Sequence, residues 1–175
     1  MNKLFSASTL LLAFISFASL NACAEPVNKP QVQQVFDLSK LARDSRDKKL
    51  PILLLFSATH CPYCELLENE ILKPMLLSGD YRDRVIIAKV VLDDADDLRN
   101  FNGQPTDMNS FTSRYNLFVT PTLLFLDAKG TEINHRITGV NTIELFGGRV
   151  DSAISNSLKK LRPGNQVARN NLPAK

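Results

Sequence analysis

The order of apolar and polar positions along the chain predicts an alternation of helices and strands. Apolar runs at 50–56 and 85–92 are nearly continuous, which is typical of strands covered on both faces of a parallel sheet. Helical spacing predicts helices after residue 32, from 61 to about 77, at 108–115 and at 142–161, whereas 122–127 and 131–138 predict a hairpin. We therefore expect an α/β fold in which a mixed central sheet combines a parallel βαβ unit with an antiparallel hairpin. Helices should cover both faces of that sheet.

The first 24 residues are predicted to be a signal peptide rather than part of the fold. Lys3 precedes an uncharged stretch at 4–20 and a small-x-small end at 22–24, a pattern that indicates cleavage before Glu25 and export to the periplasm. A membrane anchor is one alternative. Lipidation of Cys23 is another, because residues 20–23 resemble the lipobox of bacterial lipoproteins. The remaining chain is expected to form a linker at 25–32, a domain at 33–161 and a disordered tail at 162–175.

Composition narrows the class of function. The net charge of +3 is small and spread along 175 residues, so nothing indicates a nucleic-acid partner. After the signal peptide, the only cysteines are Cys61 and Cys64. Export places them where disulfides persist, yet the loop that they close is too short to stabilise the fold much. Redox chemistry therefore explains the pair better than a structural disulfide does.

The predicted position of the cysteines suits thiol chemistry. Cys61 lies where a strand ends and a helix begins, so free backbone N–H groups and the helix dipole should favour its thiolate. Cys64, one turn later, can attack a mixed disulfide formed on Cys61. Pro62 suits the first helical turn, and His60 either lowers the pKa of Cys61 or packs on the surface. No metal is predicted, because zinc normally needs four ligands and only His60 and His135 could join the pair.

Two segments resemble the thioredoxin superfamily. Residues 56–64, with Tyr63 inside Cys-Pro-Tyr-Cys, are similar to its active-site segment, and residues 115–123 are similar to its cis-proline loop. The resemblance implies a thioredoxin fold in which Pro121 is cis and Thr120 presents its backbone to an extended substrate. It is closest in kind to exported, periplasmic disulfide oxidoreductases of the Dsb-like and SoxW-like type. Glutaredoxins share the cysteine motif, but they have Thr-Val-Pro where this chain has Val-Thr-Pro.

The chain also departs from the superfamily pattern. Leu55 stands where thioredoxins carry a buried Asp, so Lys89, the counterpart of a family lysine, is expected to lack its acidic partner. The proton of Cys64 could then go to water, to Glu65, to Glu68 or to the departing thiolate. The longer segment 93–107 resembles an insertion of the SoxW-like proteins and is either a partner contact or a solvated loop.

The predicted function is that of an exported thiol–disulfide oxidoreductase acting through a mixed disulfide on Cys61. A reductase or isomerase is the first hypothesis and a disulfide oxidase the second. A copper-binding protein using His60, Cys61 and Cys64 is the alternative from a different class. We expect no cofactor beyond the redox-active Cys61–Cys64 disulfide. The expected partners are cysteine-containing exported proteins and a membrane redox partner, and the protein is expected to be a monomer.

Overall fold

A computed structural model describes residues 30–94 and 97–163. The predicted signal peptide, Cys23, most of the linker and the tail beyond residue 163 lie outside the described residues. The elements follow in the order β1 (Gln33–Gln34), α1 (Leu38–Lys48), β2 (Ile52–Ser57), α2 (Pro62–Leu67), a π-helical turn (Glu68–Leu72), α3 (Lys73–Ser78), β3 (Ile86–Val91), α4 (Met108–Tyr115), β4 (Thr122–Leu126), β5 (Ile137–Thr138) and α5 (Ile143–Leu161).

The strands form one mixed sheet in the order β1-β3-β2-β4-β5. β3 runs parallel to both β1 and β2, whereas β4 is antiparallel to β2 and β5 is antiparallel to β4. The predicted α/β class, with its βαβ unit and hairpin, is therefore confirmed. All six residues of β2 are buried because this strand lies at the centre of the sheet.

Alternation along the strands divides the core into two clusters, one on each face of the sheet. Leu54 and Phe56 point to the face covered by α1 and α4. Leu53 and Leu55 point to the opposite face, where they meet α2, α3 and α5. Helices therefore cover both faces of β2, and residues 58–61 connect the end of this strand to the start of α2.

Two strands differ from the sequence prediction. β1 was not predicted, because two glutamines carry no strand pattern; its pairing with β3 is what makes it a strand. β5 covers only Ile137–Thr138 instead of 131–138. Residues 131–133 still bond to β4, because the Ile133 N–H donates to the Phe125 carbonyl at 2.8 Å and Glu132 forms a bridge with Leu126. The Asn134 side chain then donates to the Ala153 carbonyl of α5 at 2.9 Å, and regular pairing resumes only at Ile137.

The helix after the cysteines continues through Pro74 and contains a π-helical turn. Proline has no N–H for the carbonyl four residues earlier, and the widened turn at Glu68–Leu72 directly precedes it. Such turns are a common way for a helix to absorb an interrupted hydrogen-bond ladder.

The predicted insertion at 93–107 is only partly solvated, because Asp93, Asp94 and Asp97 are exposed whereas residues later in the segment are buried. Leu98 and Phe101 are 1% and 5% exposed and belong to the core cluster under α1 and α4. The Arg99 backbone donates to the Phe36 carbonyl at 2.7 Å and accepts from the Leu38 N–H at 2.9 Å. This insertion is therefore anchored to the body of the domain.

Candidate active site

Cys61 and Cys64 form a disulfide at the junction of β2 and α2, with their Cα atoms 5.2 Å apart. The two sulfurs differ in accessibility. Cys61 is half-buried, whereas Cys64 is only 2% exposed. An approaching thiol or disulfide therefore meets Cys61 first.

The start of α2 places one backbone donor against the Cys61 sulfur. Cys61 is the N-cap residue and Pro62 occupies the first turn. The Cys64 N–H donates to Cys61 Sγ at 3.3 Å, and the Cys61 carbonyl accepts from the N–H groups of Cys64 and Glu65. When the disulfide is reduced, the same donor and the helix dipole favour a thiolate at this position.

Thr120, which Pro121 follows, lies beside Cys61 although 59 residues separate the two in the chain. The peptide bond between Thr120 and Pro121 is cis, the isomer that the resemblance implied. The Thr120 hydroxyl lies 3.6 Å from Cys61 Sγ, and it must be the donor because a disulfide sulfur carries no hydrogen. Thr120 thus contacts the more accessible sulfur.

Apolar side chains are exposed in the two segments that contribute to the site. Tyr63 is 61% exposed between the cysteines, and Phe118 and Val119 are 83% and 49% exposed just before Thr120. Large exposed apolar side chains in segments that adjoin an accessible sulfur are candidates for a binding surface. These side chains are therefore suited to contact a polypeptide held against Cys61.

His60 is exposed and lies in a backbone turn that a neighbouring acid holds in place. His60 has a φ of 56°, unusual for a residue with a side chain. The preceding Thr59 N–H donates to Asp93 Oδ1 at 2.8 Å, and this backbone hydrogen bond is the main reason why the pKa of Asp93 is lowered.

Sequence reasoning did not identify Asp93 as part of the site. Asp93 is followed by further acidic residues, and an acidic run is typical of a solvated loop, so its separate role was not predicted. A signal did exist: β2 and β3 are parallel, so the residues that follow each strand meet at the same edge of the sheet.

Lys89 has an acidic partner, contrary to the prediction. It lies opposite Leu55 in the register of β2 and β3, and its ammonium group donates to both carboxylate oxygens of Glu68 at 2.9 Å each. The prediction was wrong because the acid comes from the helix, four residues after Cys64, and not from β2. Glu68 is itself only 8% exposed.

The described residues contain no cluster of three or more His, Cys, Asp or Glu that could hold a metal ion. Over the same residues, no helix is both long enough and apolar enough to cross a membrane.

The chain is similar to known proteins in sequence. A family model described as a thioredoxin-like domain matches residues 38–153. The thiol:disulfide interchange protein DsbD of Ralstonia nicotianae is 27% identical over 130 residues, which cover 74% of this chain. The chain spans only 20% of the length of that curated relative.

Solved thioredoxin structures are also similar to the chain. For poplar thioredoxin h, PtTrxh4, the identity is 18% and the TM-score 0.48, with 70% of this chain and 96% of that chain covered. For Fasciola hepatica thioredoxin, the identity is 19% and the TM-score 0.48, with 72% of this chain and 99% of that chain covered.

Proposed function

The chain belongs to the thioredoxin-like family, has the thioredoxin fold and is a thiol–disulfide oxidoreductase, and from this premise we propose that it exchanges disulfides in exported proteins through a mixed disulfide on Cys61. One observation carries the assignment of roles. Cys61 is half-buried and hydrogen-bonded at a helix N-terminus, whereas Cys64 is 2% exposed behind it. Only the first sulfur is both reachable and placed to be a thiolate.

In the reducing direction, the Cys61 thiolate attacks one sulfur of a substrate disulfide. The substrate disulfide breaks, its second sulfur leaves as a thiolate that takes a proton, and a Cys61–substrate disulfide forms. Cys64 then loses its proton and attacks Cys61 Sγ. The substrate sulfur leaves reduced, and the pair returns to the Cys61–Cys64 disulfide observed in the structure.

Thr120, Pro121 and the exposed apolar residues form the proposed substrate contact. The Thr120 hydroxyl contacts Cys61 Sγ, so a substrate segment running past Thr120 brings its own sulfur to the same place. Extended segments bind such a site through backbone hydrogen bonds, and side-chain pockets add specificity. His60, Pro62, Tyr63 and Lys89 are proposed to adjust the reactivity of the pair.

Export rests on the amino-acid pattern of residues 1–24. The substrates proposed are therefore cysteine-containing proteins of the periplasm, and a membrane redox partner returns the pair to its working state. Mass spectrometry of the mature N-terminus tests this: a free Glu25 supports cleavage and release, whereas an acylated Cys23 means a lipid anchor.

The proposed first role is reduction or isomerisation by a monomer, with oxidation as the alternative direction. An insulin-reduction assay with dithiothreitol tests the enzymatic function. Wild-type protein should accelerate precipitation of the insulin B chain, and Cys61→Ser should not. Copper(I) titration of the reduced protein should run in parallel. Stoichiometric tight copper binding without any disulfide exchange would overturn the enzymatic proposal.

A further inference from the structure

Arg136 has no role in the exchange described so far, yet its side chain reaches the start of the loop that carries Thr120. Its Nη1 atom donates to the Tyr115 carbonyl at 2.6 Å and to the Asn116 carbonyl at 3.4 Å. Tyr115 ends α4, and Asn116 is the C-cap residue, with a φ of 51°. The last carbonyls of a helix have no partner within the helix, and an arginine side chain can bind them. Arg136 therefore holds the point at which the chain leaves α4.

The loop 117–121 starts at that point, and its other end is held by the same part of the chain. The Gly139 N–H donates to the Pro121 carbonyl at 2.8 Å. Arg136 directly precedes β5 and Gly139 directly follows it, so the two ends of β5 hold the two ends of the loop. Between these anchors the Phe118 side chain is 83% exposed. The loop thus presents an apolar side chain and Thr120 from a fixed frame.

Glu132 orients the guanidinium for this contact. Its carboxylate accepts from Nε of Arg136 at 3.1 Å and also from Nη2, which leaves Nη1 for the carbonyls at the end of α4. A carboxylate bound by two N–H groups fixes the plane of the guanidinium, whereas a lysine is a point charge that cannot serve both partners in the same way. The contact with the loop therefore depends on arginine at this position and not on positive charge alone.

We propose that Arg136 is a positioning residue for polypeptide substrates and acts through the loop 117–121. The inference rests on the proposed function, in which a substrate segment runs past Thr120 and brings its sulfur to Cys61. The hydrogen bonds of the Arg136 side chain go to the end of α4 and to Glu132. Loss of Arg136 should therefore leave the reactivity of the Cys61 thiolate unchanged and loosen the surface that aligns the substrate sulfur with it. Misplacement of reacting atoms by about 1 Å can cost on the order of 100-fold in rate.

The reactions of Cys61 with a polypeptide and with a small reagent separate these two effects. The reduced mature protein is mixed with excess insulin and quenched with acid at successive times, and mass spectrometry follows the loss of the free thiols. Alkylation of Cys61 by iodoacetamide is measured at the same pH. In Arg136→Met, the second-order rate constant with insulin should fall by on the order of 10-fold. The alkylation rate, which needs no contact with the loop, should stay at its wild-type value.

Arg84 provides a matched control. Its side chain is 30% exposed, like that of Arg136, and it also forms an ion pair, with Asp151. It donates in addition to Ser155 of α5, so Arg84→Met removes a comparable arginine that holds a different part of the fold. This variant should react with insulin and with iodoacetamide at the wild-type rates.

Arg136→Lys keeps a cation beside Glu132, and it carries the test where the methionine variant does not fold. Its rate constant with insulin should lie between those of the wild type and Arg136→Met. Wild-type reaction with insulin in the folded Arg136 variants, an equal loss in Arg84→Met, or a parallel fall in the alkylation rate would overturn the proposed role of Arg136. A wild-type protein that is alkylated at Cys61 but never reacts with insulin would instead refute the proposed function.

Discussion

Truncation of Phe101 tests whether the insertion is part of the core. The ring is 5% exposed and packs in the cluster beneath α1 and α4. Removing a buried phenyl ring costs its transfer free energy and the free energy of the cavity left behind, about 3–5 kcal/mol together. We expect Phe101→Ala to lower the free energy of unfolding by about 3 kcal/mol or more. The exposed neighbour Asn102 provides the control, because Asn102→Ala should stay within about 0.5 kcal/mol of wild type.

Substitution of Gly130 allows the contact between Phe101 and the turn at residue 130 to be measured. Its φ is +73°, and an added Cβ would overlap the ring of Phe101. Gly130→Ala should therefore cost about 1–2 kcal/mol for the backbone conformation and about 1–3 kcal/mol for overpacking. In the Phe101→Ala background only the first cost remains, so the double-mutant cycle should give a coupling of about 1–3 kcal/mol.

Equilibrium unfolding in guanidinium chloride, with the Cys61–Cys64 disulfide intact in every variant, measures these free energies. The slope against denaturant should be unchanged, because the variants alter few atoms of a cooperative domain. If Phe101→Ala is as stable as Asn102→Ala, or if the two substitutions at 101 and 130 are additive, then the insertion does not pack against the turn as described.

Three further outcomes follow from hydrogen bonds near the site and in the core. Thr120→Val removes the hydroxyl that contacts Cys61 Sγ, so alkylation of Cys61 in the reduced protein at neutral pH should be slower than in the wild type, because the thiolate loses a hydrogen-bond donor. Asp93→Ala should lower the free energy of unfolding at neutral pH, because the Thr59 N–H stabilises the Asp93 carboxylate and lowers its pKa from 3.8. In acid-unfolding curves, the difference in stability between this variant and the wild type should disappear as pH falls below 3.8 and the carboxylate is protonated. Burial raises the pKa of Tyr115 from 10.0 to about 12, and its hydroxyl donates to the Gly130 carbonyl at 2.7 Å. The stabilisation by the neutral hydroxyl should therefore be complete below pH 10 and be lost as pH rises through 12, with ultraviolet absorbance following the ionisation; Tyr115→Phe should lose less stability over the same pH range.

Sequence patterns predicted the elements whose own residues carry a regular apolar spacing or a short motif. The apolar run at 50–56 gave β2 to within two residues, and the amphipathic segment Met108–Tyr115 gave α4 with its observed bounds. The two cysteines and the Thr120–Pro121 pair were also predictable, since each belongs to a short motif. In each case the information lies within about ten consecutive residues.

The features that sequence reasoning missed depend on residues far apart in the chain. β1 exists because β3 is available to pair with it. Phe101 is buried because the turn at Gly130 lies over it. Lys89 has a partner because the helix after Cys64 turns Glu68 inward, toward a strand 21 residues later. No local periodicity records these contacts, since tertiary packing decides them.

Trapping through Cys61 is the most direct test of the central claim. Cys64→Ala, expressed in the native host, keeps the attacking thiol but removes the one that resolves the mixed disulfide. We expect exported, cysteine-containing proteins to remain bound to it on non-reducing gels and to be released by dithiothreitol. The Cys61→Ala/Cys64→Ala double variant should retain none. An empty trap, in cells where Cys61 is shown to be alkylated by an added reagent, would contradict the account.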